Sequence, residues 1–181
     1  FSFSSPGNAT DSTYELTQVV SAGASTENDT VAMILNGWYA PGYVDQIERF
    51  TKASITNAAD WGEIATNKGW SHGHNDLTYG YSSGGQPDSN GNIERAPFSS
   101  PGTTIDIGEL GLVIGNQGTH GMSSTTHGYS FGGDTPAAPQ GQNSIRKFPF
   151  ASPSSGSDVG EMTISNSPSD GNLYGVVGSQ Y

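Results

Sequence analysis

Apolar and polar positions alternate along this chain in short runs, each cut off by glycine, proline, asparagine or aspartate. Ile105–Ile114, Gly128–Phe131 and Ile145–Phe150 are examples. Such runs read as strands joined by tight turns. A helical period is nearly absent. The best helical candidate, Asn57–Asn67, coincides with a repeating landmark and is therefore read as a turn and strand. The longest apolar run is Val31-Ala32-Met33-Ile34-Leu35, beside Trp38 and Tyr39. It predicts a buried strand or, where it is not wholly core, a contact patch at Ile34, Trp38 and Tyr39.

The pattern recurs. Phe3-Ser4-Ser5-Pro6-Gly7 matches Phe98-Ser99-Ser100-Pro101-Gly102, Phe150-Ala151-Ser152-Pro153 is close, and Phe50 is a divergent copy. A second landmark reads Asp60-Trp61-Gly62-Glu63, Asp106-Ile107-Gly108-Glu109 and Asp158-Val159-Gly160-Glu161, with Tyr14-Glu15-Leu16 keeping only its end. Gly37-Trp38, Gly80-Tyr81 and Gly128-Tyr129 form a third, with Tyr181 where the next copy begins. Ile47-Glu48-Arg49, Ile93-Glu94-Arg95 and Ile145-Arg146-Lys147 form a fourth. Four landmarks in one order, at a period near 48 residues, fit the window of propeller blades. The expectation is one all-β repeat domain over 1–181, in approximate units 3–49, 50–97, 98–149 and 150–181. It is a β-propeller-like ring of four blades, one of them closed by strands from both termini, with Phe1–Phe3 beside Tyr181. A linear array is the rival arrangement. In either, Phe3, Phe50, Phe98 and Phe150 are expected to be equivalent buried positions, as are Trp38, Tyr81 and Tyr129.

Composition narrows the function. Only 32% of the residues are hydrophobic, 26 of 181 are glycine, and 17 acidic against 6 basic residues leave a net charge of −11. That charge argues against nucleic acid and anionic membrane as partners, which need a basic surface. The absence of cysteine removes disulfides, thiolate metal sites and a cysteine nucleophile. No run reaches the roughly 18 apolar residues of a membrane helix. No signal peptide is visible, and a start at Phe1 suggests a processed product or a fragment.

Candidate chemistry is sparse. The Asp-x-Gly-Glu carboxylates recur once per unit, which suits a turn that caps its own backbone better than an acid–base pair in one cleft. Arg49, Arg95, Arg146 and Lys147 either pair between units with Glu15, Glu63, Glu109 and Glu161 or face solvent. His72 and His74 share a strand face, and His120 and His127 follow a unit later. Without an evident third ligand they read as surface or hydrogen-bonding histidines. Asp88, Asn90, Asn92 and Glu94 set oxygens at alternate positions, the outline of a calcium loop without its full spacing, and a polar turn is the competing reading. Asn8 and Asn28 head N-glycosylation sequons. No nucleophile elbow and no phosphate loop are present, so no catalytic, cofactor or metal residue is assigned and the expectation is a non-enzyme.

The sequence Gly128-Tyr129-Ser130-Phe131-Gly132-Gly133, then Ile145-Arg146-Lys147-Phe148-Pro149-Phe150-Ala151-Ser152, then Asp158-Val159-Gly160-Glu161-Met162-Thr163, resembles the kelch-like repeats of virion and tail-fibre proteins from tailed phages of aquatic bacteria and cyanobacteria. The resemblance spans the chain, strongest over 93–163 and weakest over 19–75. It implies a β-propeller on a virion or cell surface and supplies no catalytic residues. Two functions follow as expectations. One is a structural or assembly component of a virion, tail fibre or extracellular filament, its partners being copies of itself or other such proteins. The other is a propeller that binds a cell-surface glycan or receptor for host attachment.

Overall fold

The protein, seen in a computed structural model, is described over residues 15–54, 56–88, 90–111, 120–132 and 143–163. These residues form twelve strands and no helix. The first sheet holds β1 (Ala24–Glu27), β2 (Val31–Tyr39), β3 (Gly42–Thr51) and β4 (Ala59–Glu63). The second holds β5 (His72–Asn75), β6 (Tyr79–Ser83), β7 (Asn92–Pro97) and β8 (Ile105–Glu109). The third holds β9 (His120–Ser123), β10 (His127–Phe131), β11 (Ser144–Pro149) and β12 (Ser157–Glu161). Each is an antiparallel meander in chain order. Asn57–Asn67, the best helical candidate, contains β4, as the repeat required.

The repeat is exact in its first half, because β1, β5 and β9 each begin 48 residues after the last. The turn between the first two strands of each sheet is capped by one side chain at the same step. Asn28 Oδ1 accepts the N–H groups of Thr30 and Val31, Asp76 Oδ1 those of Thr78 and Tyr79, and Ser124 Oγ those of Thr126 and His127. Each offers the backbone a partner that a turn lacks. The third strands carry the Ile-x-Arg landmark, and a register shift follows the isoleucine in all three.

The sheets pack face to face. Ala24, Val31, Met33, Leu35 and Ile47 of the first sheet meet Ala96 and Phe98 of the second, with Trp61 against the cluster. Tyr81, Ile93, Ile107 and Leu110 of the second meet Phe148 and Phe150 of the third, with Tyr79 alongside. Full burial of a side chain of this size contributes about 1.5–3 kcal/mol. At β1, β5 and β9 the backbones themselves touch. A Cβ on Gly73 would collide with the Ser25 carbonyl, and one on Gly121 with the Gly73 carbonyl, so only glycine permits this spacing.

Two expected equivalences are corrected. Phe50 is paired with Ala32, as Ala96 is with Gly80 and Phe148 with Gly128. The position of Phe98 and Phe150 falls instead on Lys52, whose N–H bonds the Thr30 carbonyl as theirs bond those of Thr78 and Thr126. Likewise Trp38 bridges Ser21 as Gln86 bridges Gly69, so its counterpart is Gln86, while Tyr81 and Tyr129 match Met33. In both cases the first sheet replaces the landmark aromatic, and a neighbouring aromatic imitates it in the sequence. Phe3 and Tyr181 lie outside the described residues.

Candidate functional site

The sheets differ most where the first is longest. β2 and β3 run to nine and ten residues, against five and six for β6 and β7. The extra length forms a hairpin end bearing Trp38, Tyr39 and Tyr43. Trp70, from the segment entering β5, completes the group. Its ring lies 6.1 Å from Trp38 at 39° and 6.2 Å from Tyr43, edge-on. The Tyr43 hydroxyl is 3.4 Å from Gln86 Oε1. Tyr39 is 52% exposed, while Trp38, Tyr43 and Trp70 are half-buried.

Trp70 holds φ at +55°, as does its first-sheet counterpart Ala22 at +54°. The left-handed region costs a side-chain-bearing residue about 1–2 kcal/mol. Glycine would sit there unstrained, so the tryptophan is kept against a backbone cost, a pattern that gathers at functional positions. Asn36, at φ +62°, occupies the place of Gly84 and Gly132. Its amide donates to Ser82 Oγ at 2.8 Å and accepts from Ser71 at 2.9 Å, which ties the hairpin base to the second sheet.

Of the predicted contact residues, Trp38 and Tyr39 belong to this end. Ile34 does not. It lies half-buried on the sheet face opposite Val31, Met33 and Leu35, and lines a groove of about 730 Å³ along the first strands with Ser25, Glu27, Trp70, His72 and His120. The sequence reading missed Tyr43, Trp70 and Gln86. Trp70 is the one tryptophan outside every landmark, and that was the available signal.

His120 and His127 are partly exposed, and His127 Nδ1 lies 2.8 Å from the Thr126 hydroxyl, whereas the other two histidines leave the surface. His72 and His74 are both fully buried toward the third sheet. His74 Nδ1 donates to the Met122 carbonyl at 3.1 Å, so its Nε2 accepts from Ser83 Oγ at 2.8 Å, and Ser83 meets Ser130 Oγ at 3.1 Å. Burial pulls its pKa down to about 4, against a smaller raising effect of the Met122 carbonyl. His72 has neither ring nitrogen bonded, and burial first, then the nearby His74, His120 and Lys68, hold its pKa well below the ordinary value. Both are neutral near pH 7. His72 and His120 open β5 and β9 at equivalent positions.

The calcium outline belongs to a buried ion cluster. Lys68 has no exposed side-chain surface. Its Nζ lies 3.2 Å from Glu94 and 4.0 Å from Asp88 and donates to the Asn92 carbonyl at 2.9 Å. Burial lowers the Lys68 pKa, opposed by Glu94 and then Asp88. Asp88 also accepts the N–H groups of Asn90 and Asn92. Among the described residues no group of three or more His, Asp or Glu side chains is arranged to hold a metal.

The Asp-x-Gly-Glu landmark lies inside β4, β8 and β12, beside the register shift, and not in a turn as expected. Asp60, Asp106 and Asp158 each accept the N–H of the following landmark glycine, at 3.1, 2.9 and 3.1 Å. The arginines neither pair with the landmark glutamates nor simply face solvent, the two arrangements expected. Arg49 lies over the Trp61 ring at 4.2 Å, Arg95 over Tyr79 at 4.4 Å, and Arg146 is 3.7 Å from Asp158. Glu63, Glu109 and Glu161 are exposed, and half-buried arginines gain more from an aromatic face than from a solvated carboxylate. Asn28 is engaged in its turn cap and in a bond to the Leu77 carbonyl, and Asn8 lies outside the described residues. No protein-family description and no curated protein matches the chain.

Proposed function

We propose that this chain is a non-enzymatic, propeller-like repeat module, a structural component of a virion, tail fibre or extracellular filament, whose partner contact is the aromatic end Trp38, Tyr39, Tyr43 and Trp70. The observation that carries the reading is the departure of this end from the repeat. The second sheet has Gln86 where the first has Trp38, and ends its hairpin before a counterpart of Tyr39. Tyr81, Phe98, Phe148 and Phe150, by contrast, fill the space between sheets. Here the aromatics sit at a tip, one of them half exposed and one held in a strained backbone. Aromatics of this kind dominate contact energies because they bury much surface with few rotors. Charged residues make up only 13% of the chain, and a mostly uncharged polar surface suits packing against other copies with little desolvation cost.

A glycan partner is the second reading. The splayed Trp38 and Trp70 rings, with the Gln86 amide at their edge, offer both faces and hydrogen bonds to a sugar.

The test is to replace Tyr39 and Trp38 separately by alanine, then measure folding, self-association by sedimentation, and glycan-array binding. Loss of association with folding intact supports the assembly role. Loss of glycan binding alone moves the function to attachment. Association and binding both unchanged would remove the aromatic end from the contact. Turnover of a glycan or peptide abolished by one side-chain change would overturn the non-enzymatic reading.

A further inference from the structure

Consecutive sheets are joined by one repeated contact. The Gly102 N–H bonds the Trp61 carbonyl at 2.9 Å, and the Thr104 N–H bonds that of Glu63 at 2.9 Å. One sheet later the Gly156 N–H bonds the Glu109 carbonyl at 2.7 Å. The loop after Phe98 therefore lies on β4, and the loop after Phe150 on β8. Gly62 and Gly108 make room for it. A Cβ on Gly62 would collide with Gly102, and one on Gly108 would come within 2.8 Å of Ser154. Between these glycines and the core, Trp61 donates to the Pro97 carbonyl at 3.2 Å and Ile107 is buried.

The same contact exists before the first sheet. The Ala58 N–H bonds the Glu15 carbonyl at 3.0 Å, as Thr104 bonds Glu63. Glu15 thus stands where the end of a fourth strand stands in the other sheets. Among the described residues no such contact follows the third sheet. Val159, the counterpart of Trp61 and Ile107, is 49% exposed, and a Cβ on Gly160 would meet nothing within 4 Å.

The sequence holds one further copy of the segment that covers β4 and β8, namely Phe3-Ser4-Ser5-Pro6-Gly7, identical to Phe98–Gly102. We infer that β12 is a docking edge for Phe3–Gly7 of the same chain. The Gly7 N–H would meet the Val159 carbonyl, the Ala9 N–H the Glu161 carbonyl, and Phe3 would cover Val159. The inference rests on the ring reading above and states which residues close the ring.

The test uses the full chain with Val159→p-benzoylphenylalanine. Irradiation is followed by mass spectrometry of the digest, with a mixture of isotopically light and heavy protein to separate contacts within a chain from contacts between chains. Cross-links from position 159 to the 1–10 peptide within one chain are the expected result. The same cross-link between chains overturns closure in cis and assigns the edge to a second copy. Cross-links elsewhere, or none, overturn the docking altogether. In parallel, Phe3→Ala should speed amide exchange over 157–161 at least tenfold while β1–β8 keep their protection, and unchanged exchange there counts against it. Neither readout depends on the aromatic end, so failure here leaves the assembly and glycan measurements standing.

Discussion

The two inter-sheet layers use one backbone plan and different fillings. Ile47 and Ile93, which precede the register shift in their third strands, are equivalent and fully buried. Around them the positions diverge. Met33, Leu35 and Ala96 between the first and second sheets become Tyr81, Ser83 and Phe148 between the second and third, and Ala24 and Thr26 become His72 and His74. The first layer is mainly aliphatic, with Phe98 and Trp61 beside the small and branched residues. The second is aromatic, with Phe148 edge-on to His74 at 5.0 Å and Phe150 stacked on Tyr81 at 4.6 Å, and it carries a buried His-Ser-Ser chain. Turn caps, close-approach glycines and the bulged third strand hold the spacing. Within that spacing the volume can be filled by different residues.

The largest expected effect is on the aromatic layer. Phe148→Ala should lower stability by about 3–5 kcal/mol in urea unfolding, because Phe148 touches both Tyr81 and His74. Ala96, its counterpart, is already alanine, so the comparison fails if Phe148→Ala costs under about 1 kcal/mol.

Next comes the buried ion cluster, which the first sheet lacks. There Glu48 is met by the Thr17 hydroxyl and the Gln18 N–H in place of a lysine. Lys68→Met leaves Glu94 buried without its cation and should cost about 3–5 kcal/mol, while the double variant Lys68→Met with Glu94→Gln should recover part of it. A double variant no better than the single one would show that Lys68 acts by packing alone.

The third effect separates the layers by pH. Burial depresses the folded pKa of His74 to about 4, so below its ordinary 6.5 the unfolded chain binds the proton and the folded chain does not. Stability should therefore be full near pH 7 and fall as the pH drops from about 6.5 to 4, by about 3 kcal/mol for His74, with His72 adding in the same direction. His74→Thr, the residue of the first layer, should flatten that slope. An unchanged slope would place its origin outside this layer.

The smallest effect belongs to the turn caps. Asn28→Ala and Ser124→Ala should each cost about 1 kcal/mol in thermal unfolding, and Asp76→Ala more, since Asp76 Oδ2 also accepts the hydroxyl of buried Tyr81 at 2.7 Å. A large difference between Asn28→Ala and Ser124→Ala would break the equivalence of the turns.

Much of the frame was legible in the chain. The self-capped Asp-x-Gly-Glu segments, the strand at Asn57–Asn67 and the near-48 period follow from short-range chemistry, since a carboxylate two residues before a glycine can cap its N–H wherever the strand lies. The site was half legible. Trp38 and Tyr39 stood out as departures from the repeat, whereas Tyr43, Trp70 and Gln86 come from three separate segments and meet only because a bridge aligns Gly69 with Gln86. Lys68 gave no signal, because a lysine in a loop is ordinarily solvated.

By itself, then, the sequence determined an all-β repeat with polar, self-capped segments, a net charge of −11, and the place where the first unit departs from the others. These properties depend on local spacing and composition. Only the tertiary structure decided that Phe50 stands two positions from its apparent partners, that Lys68 and two histidines are buried, and that Arg49 and Arg95 lie on aromatic rings while Arg146 meets Asp158. Each of these depends on which sheet face lies against which neighbour. A step of one residue reverses the face and a step of two keeps it, so a misplaced aromatic can keep the motif while changing the contact.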